Sequence, residues 1–390
     1  MFALTNEVRR YAWGSHTAMA DFLGQTGPST EPEAELWVGA YPTCPSRLAD
    51  GRSLAKLIAE DPAGTLGAVA LERFGPRLPF LMKVLTIGAP LSLQAHPNAA
   101  QAAAGFAAEE AAGIPLDAPV RNYRDGRHKP ELLCALTQVE AFCGFRPVSE
   151  SVALLDELAV PELDGLRQSL TSSGLEASVR WIFELSDAYV ADVVAELARS
   201  AAPAPDSLYT DALQWGSRLA QDYPGDRGVV LTLLCTFVRL APDEALFIPA
   251  GCLHAYLSGM GVEIMAESDN VLRGGLTGKH VDVLELQRVL DFGPSRAAVV
   301  RGQADEVGRT RFATEVEEFA LSKLEVSEPA ELDAERPAIV LTVDGAARLR
   351  SADGRVLDLP QGRAAFLPAV EQGIEISGSA VVFEATTGPS

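Results

Sequence analysis

The 390-residue chain has few cysteines, few histidines and no long apolar run. Its five cysteines are scattered and form no CxxC pair: Cys44, Cys134, Cys143, Cys235 and Cys252. An odd, scattered set is typical of buried thiols in a reducing compartment. The longest apolar stretches, such as GVVLTLLCTFV, are too short to span a bilayer. The opening MFALTNEVRR lacks the basic-then-apolar order of a signal peptide, so we expect a cytoplasmic protein.

Positive charge is also scarce. The chain has 32 Lys and Arg against 53 Asp and Glu, which gives a formal net charge of −21 at pH 7. Such a charge repels nucleic acid and anionic membranes, so we expect neither as a partner. A phosphorylated ligand would be repelled as well, and it would need a locally basic pocket.

The spacing of apolar residues divides the chain into segments of different texture. Residues 1–147 alternate short apolar runs with Gly/Pro turns, which predicts mainly β-structure. Residues 148–225 space apolar residues by three and four after Ser or Asp, which predicts a helical insertion. Strands return over residues 226–305 and continue through residues 306–390. The sequence therefore predicts a mainly β fold with a helical insertion.

A short internal repeat occurs once in residues 226–305 and once in residues 306–390. The segment DEALFIPAGCLHAYLSG (residues 243–259) is echoed by GRAAFLPAVEQGIEISG (residues 362–378), and the alignment places Gly373 opposite His254. A Pro-Ala-Gly turn followed by His is typical of a jelly-roll barrel in which a strand pair projects a ligand inward. We therefore expect two jelly-roll barrels, one with a metal and one without.

Candidate metal ligands come from three separate segments. In SLQAHPN, Gln94 and His96 are two residues apart, so on a strand their side chains share a face. Glu131 follows Pro130 at the start of an apolar strand, and His254 follows the repeated turn. Such an oxygen and nitrogen set suits zinc, with one position left for substrate. The alternative is four unrelated residues with separate hydrogen bonds, and the residues alone leave both interpretations open.

Several segments together resemble the type I mannose-6-phosphate isomerases (phosphomannose isomerases). They are YAWGS, AELWVGAYP, SLQAHPN, HKPEL, PAGCLHAYLSG and VEIMAESDNVLRGGLTGKHVDV, in that family's order over roughly the first three-quarters of the chain. The resemblance implies a zinc enzyme with two cupin-type jelly-roll barrels and an α-helical domain. It implies interconversion of D-mannose 6-phosphate and D-fructose 6-phosphate, and cytoplasmic sugar metabolism.

The resemblance also assigns site residues and domains. It places one zinc ion per chain on Gln94, His96, Glu131 and His254, and an active-site arginine at Arg273. Residues 1–147 and 226–305 would form the catalytic cupin domain, residues 148–225 the insertion, and residues 306–390 a C-terminal cupin-like domain without metal. The chain departs from the family after its RxG motif, where Leu276 and Gly278 replace an aromatic residue and a proline.

The implied reaction moves a carbonyl group between C1 and C2 of an open-chain sugar through a cis-enediol(ate) intermediate. A base must take a proton from one carbon and return it to the next, and its acidity must suit the working pH. Lys129 and Glu263 are the candidates, with a slight preference for Lys129, because burial beside a dication makes a lysine easier to deprotonate. His128 or Asp269 would open the sugar ring by moving a hydroxyl proton. Tyr256 would hydrogen-bond sugar hydroxyls.

The phosphate group requires cations in this acidic chain. Arg273 can grip phosphate oxygens with its planar guanidinium, or stabilise the charge of the enediolate. Lys83, Lys279 and Ser92 are candidate helpers in substrate binding. A solvated surface position is the ordinary alternative for a lysine, but Lys83 lies inside the apolar run PFLMKVL, where an unpaired ammonium would be unfavourable.

Three other functions fit part of this pattern. His96, Glu131 and His254 also form the two-histidine, one-carboxylate set of non-haem iron oxygenases. A non-catalytic cupin that senses sugars would keep the metal ligands without needing Lys129 or Arg273. An isomerase or epimerase of another sugar phosphate would keep all of these residues. In each case we expect a small-molecule ligand as the partner of a monomeric protein.

Overall fold

A computed structural model describes residues 1–200, 207–293, 298–305, 308–332 and 336–389. Its β-strands, in chain order, are β1 (Phe2–Leu4), β2 (Glu7–Arg9), β3 (Glu35–Gly39), β4 (Phe80–Ile87), β5 (Leu93–Ala95), β6 (Glu131–Ala135), β7 (Val139–Phe145), β8 (Cys235–Leu240), β9 (Glu244–Ile248), β10 (His254–Ala266), β11 (Leu272–Gly275), β12 (Ala298–Arg301), β13 (Gln303–Ala304), β14 (Arg309–Phe312), β15 (Ala320–Val326), β16 (Ala330–Glu331), β17 (Ala338–Arg350), β18 (Val356–Pro360), β19 (Ala364–Leu367) and β20 (Glu375–Thr386). Its α-helices are α1 (Ala18–Phe22), α2 (Leu54–Glu60), α3 (Pro62–Phe74), α4 (Ala99–Ala111), α5 (Val148–Leu158), α6 (Asp164–Glu184), α7 (Asp187–Arg199), α8 (Thr210–Asp222), α9 (Arg227–Thr232) and α10 (Val283–Val289).

The described strands form two antiparallel sheets, which confirms the predicted mainly β fold. The first sheet runs in the order β12-β9-β6-β10-β4-β3-β2, with β5, β7, β8 and β11 joined to it through β10. The second runs in the order β1-β19-β17-β20-β15-β14-β13, with β16 and β18 at its margins. Helices α5 to α9 lie between β7 and β8 in the chain, where the 3.6-residue periodicity predicted an insertion.

Strand β10 joins two sets of strands in the first sheet, because its two halves pair with different neighbours. The half that begins at His254 pairs with β5 and β7, and the half from Gly259 to Ala266 pairs with β4 and β6. The strand changes partners at Gly259, whose φ is +110°. A Cβ atom there would lie 2.3 Å from the carbonyl oxygen of Gln138, so this crossing requires glycine.

The N-terminal strand belongs to the second sheet. Phe2 of β1 is paired with Phe366 of β19, so the first residues of the chain complete the sheet formed by its last part. The four-part division of the chain stays a prediction, and the predicted start of its last part, residue 306, lies outside the described residues. The pairing of β1 shows that the second sheet is built from both ends of the chain.

The two sheets share one apolar core. Met82, Val84 and Ile264 on the first sheet pack in a single cluster with Ile339 and Phe383 on the second. Helices α1 to α3 add side chains to the same cluster. Each such fully buried side chain contributes about 1.5–3 kcal/mol relative to exposure, so the core joins the two sheets firmly. The opposite face of the first sheet is therefore left to form the site.

Two further observations complete the comparison with the sequence. All five cysteines are buried and free of disulfides, as predicted. Among the described helices, none has both the length and the apolar character needed to cross a bilayer.

Candidate metal centre and active site

The structure brings the four predicted metal ligands together in the first sheet, where β5, β6 and β10 lie side by side. Gln94 on β5 is paired in register with His254 at the start of β10, and His96 follows β5 directly. Glu131 begins β6, and its two carboxylate oxygens each lie 3.4 Å from an Nε2 atom, one of His96 and one of His254. The Gln94 Nε2 atom lies 3.5 Å from His254 Nε2, so a half-turn of the amide would direct its oxygen to the same point.

Backbone carbonyls fix the orientation of both imidazole rings. His96 Nδ1–H donates to the carbonyl oxygen of Asn270 at 2.8 Å, and His254 Nδ1–H donates to that of Cys252 at 3.0 Å. Each ring therefore presents the lone pair of Nε2 to Glu131, which is how metal-binding histidines are usually held. Within the described residues, His96 Nε2 and Glu131 Oε2 are buried without a hydrogen-bond partner. Such atoms need a partner, and a divalent cation fits both of them.

Charge also favours the metal-binding forms of His96 and Glu131. Burial, and after it the charge of Lys129, lowers the pKa of His96 to about 4, so that imidazole is neutral. Burial alone would raise the pKa of Glu131, but Lys129 and His96 hold it well below its usual value. The Lys129 ammonium lies 2.9 Å from Glu131 Oε1. Burial would lower the pKa of His254, but the hydrogen bond with Glu131 and the charge of that carboxylate raise it.

A second buried charge cluster lies across β3, β4 and β10. Lys83 is paired in register with Glu263 and with Trp37, and its ammonium lies 3.3 Å from Glu263 Oε2 and 3.9 Å from Glu35 Oε1. Burial would lower the pKa of Lys83, but these carboxylates raise it above its usual value. Burial raises the pKa of Glu263. Lys83 thus already neutralises two carboxylates, and its predicted contact with substrate stays a prediction.

Cations gather beside the metal ligands, on the same face of the sheet. Arg273 on β11 is paired in register with Gln94, so Arg273, Gln94 and His254 are neighbours on one face of three strands. Within the described residues, Arg273 Nε is buried without a hydrogen-bond partner. Burial lowers the pKa of Arg273, and burial together with the charges of Arg273 and Arg124 lowers that of Lys279. These three cations lie close enough to repel one another.

Sequence reasoning missed Arg124. Its Nη1 atom lies 3.3 Å from Asp269 Oδ2, beside the other two cations. The neighbouring Arg121 is bound to Glu109 and Glu110, and Arg127 to Glu267. Nothing in the sequence alone separates Arg124 from these structural arginines, because the carboxylates that distinguish them come from distant segments.

The remaining predicted site residues are placed as follows. Tyr256 follows His254 on the same face of β10, and its hydroxyl is buried with no hydrogen-bond partner among the described residues. Burial raises the pKa of Tyr256 well above its usual value, so the hydroxyl stays a donor. Ser92 is half-buried just before β5. Asp269 lies beside Arg124, as described above.

His128 is bound by Glu318, which lies in the loop between β14 and β15 of the second sheet. Its Nε2 atom lies 2.6 Å from Glu318 Oε1, in the loop before β15. Burial would raise the pKa of Glu318, but the hydrogen bond with His128 lowers it. Of the two candidates for ring opening, Asp269 therefore lies with the cations, whereas His128 is held by Glu318.

The second sheet repeats the strand order of the first without its ligands. β19 and β20 are joined by a turn as β9 and β10 are, and Gly373 lies in that turn with φ +65° where the alignment places it opposite His254. Over the part of the chain that the structure describes, His96, Glu131 and His254 are the one group of three side chains that could hold a metal ion.

An antiparallel sheet that holds a buried His–Glu–His group beside the half-buried Gln94, next to a second sheet with the same strand order and no such group among its described residues, defines a metal-binding protein of the two-barrel cupin class. The family description "phosphomannose isomerase type I, catalytic domain" matches residues 1–148, and "mannose-6-phosphate isomerase, cupin domain" matches residues 308–385. The mannose-6-phosphate isomerase of Escherichia coli strain K12 is 38% identical over 387 residues, which cover 97% of each chain. The human enzyme is 32% identical over 421 residues, covering 98% of this chain and 93% of its own.

Solved structures agree with these relatives. A zinc-bound mannose 6-phosphate isomerase matches with a TM-score of 0.90 and 35% identity, over 100% of this chain and 99% of that one. The apo form from Salmonella typhimurium matches with the same TM-score at 36% identity, with the same coverage. The chain belongs to the type I mannose-6-phosphate isomerase family. Membership confirms the resemblance, and it favours an isomerase over the iron-oxygenase and sugar-sensor alternatives.

Proposed function

We propose that this chain is a zinc-dependent aldose–ketose isomerase that interconverts D-mannose 6-phosphate and D-fructose 6-phosphate through a cis-enediol(ate). One observation carries the proposal: the metal ligands and the cations adjoin on one face, with Arg273, Gln94 and His254 on three neighbouring strands. A sugar phosphate has hydroxyl and carbonyl oxygens for the first cluster and a phosphate for the second. The chain as a whole carries a net charge of −21 and would repel an anionic substrate. A local group of cations at this place therefore indicates a binding site for an anion.

Gln94, His96, Glu131 and His254 would hold the zinc ion. Two neutral imidazoles, one carboxylate and one amide oxygen match the ligand types that zinc accepts. When bound, zinc would supply a Lewis acid and a template for the sugar oxygens. The two carbonyl groups that fix the histidine rings prepare the chain for this ligand set.

Lys129 is the proposed base, with Glu263 as the alternative. The Lys129 Nζ atom lies 2.9 Å from Glu131 Oε1, so it reaches the edge of the metal cluster where the sugar carbons would be held. Glu263 is bound by Lys83, and its carboxylate lies on the same strand as His254. In either case the base would remove a proton from one sugar carbon and return it to the other.

Ring opening and substrate binding use the remaining polar groups. Asp269 or His128 would move the hydroxyl proton that opens the pyranose ring. Tyr256 would donate its buried hydroxyl to a sugar oxygen. Arg273 and Lys279, joined by Arg124, would hold the phosphate or the charge of the enediolate, and Ser92 and Lys83 are proposed helpers.

A coupled assay tests the whole proposal. Mannose 6-phosphate should be converted to fructose 6-phosphate by the purified protein, chelation should abolish the conversion, and added zinc should restore it. Parallel assays with other aldose 6-phosphates address the alternative of a different sugar-phosphate isomerase or epimerase. Failure to form fructose 6-phosphate from mannose 6-phosphate with zinc present would refute the proposal. The monomeric state and the cytoplasmic location stay predictions.

The Arg273→Lys variant should lose about a hundredfold in kcat and in kcat/KM together, with its zinc content unchanged. Lysine keeps the charge but loses the planar fork that can meet two oxygens at once. Equal losses in both parameters indicate an interaction made mainly in the transition state, which is where the enediolate charge develops. A rise in KM with normal kcat would instead assign Arg273 to ground-state phosphate binding. Near wild-type values of both would place it outside the site.

The protein should bind one zinc ion per chain. The four ligands described above form one site, and the alignment gives the second sheet Gly373 where the first has His254. Metal analysis of protein purified without added chelator should find about one equivalent. Two tightly held ions per chain would show that the second sheet has a site of its own.

A further inference from the structure

Asn270 makes an unusual number of contacts for one buried side chain. It is fully buried in the turn between β10 and β11. Its Nδ2 group donates to the carbonyl oxygens of Asp125 at 2.8 Å and Arg127 at 2.9 Å. Its Oδ1 atom accepts from the backbone N–H groups of Arg124 at 2.7 Å and Asp125 at 3.2 Å. One amide thus binds four backbone groups of residues 124–127.

The backbone of Asn270 binds a metal ligand. Its carbonyl oxygen accepts the Nδ1–H of His96 at 2.8 Å and so directs the Nε2 atom of that ring to Glu131. Glu131 lies only four residues after Arg127, which is the last residue that the Asn270 side chain binds. A single residue therefore fixes His96 through its backbone and the approach to Glu131 through its side chain.

Asparagine is the side chain that this place requires. It offers two donors and one acceptor on a short stem, whereas aspartate offers only acceptors when ionised and serine has one hydroxyl. Nδ2 faces two carbonyl groups, so a side chain without donors would leave both buried acceptors unpaired. Ser268 supports the same arrangement, since its hydroxyl donates to the carbonyl oxygen of Arg127 at 3.2 Å and accepts from the N–H of Asn270 at 3.3 Å.

We propose that Asn270 is a positioning residue of the metal site, which sets the distance and orientation of His96 relative to Glu131. This inference rests on the zinc site of the proposed function. It goes beyond that proposal because it assigns a role to a residue that would touch neither metal nor substrate. It also accounts for the position of Arg124 relative to Arg273, because the backbone of Arg124 is hydrogen-bonded to Asn270 and the strand of Arg273 begins two residues after it.

The test compares the zinc dissociation constants of the wild type and Asn270→Asp by competition with a chromophoric chelator. The variant has nearly the same shape but removes both Nδ2 donors, so the zinc dissociation constant should rise about 10–100-fold, the range typical of groups that support metal ligands. The visible spectrum of the cobalt-substituted protein should change as well, because the ligand geometry changes. Neither measurement depends on turnover.

A matched control separates positioning from general stability. Thr342 on β17 is also fully buried, and its hydroxyl donates to the carbonyl oxygen of Leu359 at 3.0 Å in the second sheet. Thr342→Val should lower the unfolding temperature while leaving the zinc dissociation constant and the cobalt spectrum unchanged. If Asn270→Asp loses stability yet binds zinc within twofold of the wild type, the residue is purely structural and the inference is wrong.

Two further outcomes are decided in the same experiment. If Asn270→Asp does not fold, Ser268→Ala replaces it, with an expected rise of about threefold in the zinc dissociation constant because part of the same arrangement remains. An unchanged constant in Ser268→Ala would then overturn the inference. A wild-type protein that binds no zinc would instead refute the proposed function, so the two failures are distinguishable.

Discussion

Replacing His254 with alanine should empty the metal site and abolish isomerisation while leaving the fold intact. His254 is the first residue of β10, where it is paired with Gln94 and its Nε2 atom lies 3.4 Å from Glu131 Oε2. Its removal would take away one of the four proposed ligands and leave the Glu131 carboxylate with fewer partners for a cation. A metal that acts as a Lewis acid contributes several kcal/mol, so activity should fall about a thousandfold or more. Zinc should drop from about one equivalent to a small fraction of one.

An exposed histidine provides the control. His16 lies at the surface with its Nδ1 atom 2.9 Å from the carbonyl oxygen of Ser29, away from the four ligands. His16→Ala should keep its zinc and its activity. A His254→Ala protein that retains a full equivalent of zinc and unchanged turnover would show that the ligand set is wrong. Metal analysis and the coupled assay on both variants decide the matter.

The sequence predicted the ligand strands because their information is local. Gln94 and His96 obey the two-residue period of a strand, and His254 follows a turn whose Gly251 has φ +78°. Glu131 begins a fully buried strand directly after Pro130, which cannot lie inside a ladder. Each of these signals needs only a few neighbouring residues. The residues alone left open whether the three segments meet at one metal ion, and the family resemblance favoured that they do.

Pairing between distant strands could not be predicted in this way. The second sheet takes β1 from the first residues of the chain, and Phe2 meets Phe366 across most of the sequence. A three-residue apolar strand carries no signal for its partner. The partners of Lys83 are a similar case. An ammonium in an apolar run must be paired, but only the register of β3, β4 and β10 shows that Glu35 and Glu263 pair with it.

The positions of Arg124 and His128 could not be predicted from the sequence, for the same reason in both cases. Arg124 and His128 lie in a polar, Gly-containing segment where no periodicity separates one role from another. Their partners, Asp269 and Glu318, are far away in the chain. The residue types alone therefore identify possible site residues in this segment. Only the tertiary contacts show that Arg124 lies with Asp269, near the other cations, and that His128 is bound by Glu318.

Lys129→Met should lower kcat about 10²–10⁴-fold, the usual contribution of a general base, with little change in KM. Methionine keeps the length of the side chain and loses the ammonium that lies 2.9 Å from Glu131. The decisive measurement is exchange of the substrate's C2 hydrogen with deuterated solvent, because a base that has been removed can no longer carry that hydrogen. Exchange and turnover should fall together in this variant.

Glu263→Gln and Lys279→Met complete the comparison, because each removes one charge from a different cluster. Glutamine at 263 keeps the shape of the side chain and leaves Lys83 with Glu35, so turnover should fall only about tenfold and C2 exchange should persist. Methionine at 279 removes a cation beside Arg273, so KM should rise while exchange continues at saturating substrate. If Glu263→Gln loses exchange and Lys129→Met keeps it, the base is Glu263. Lys129 would then act only as the counter-ion that holds Glu131 in its ionised, metal-binding form.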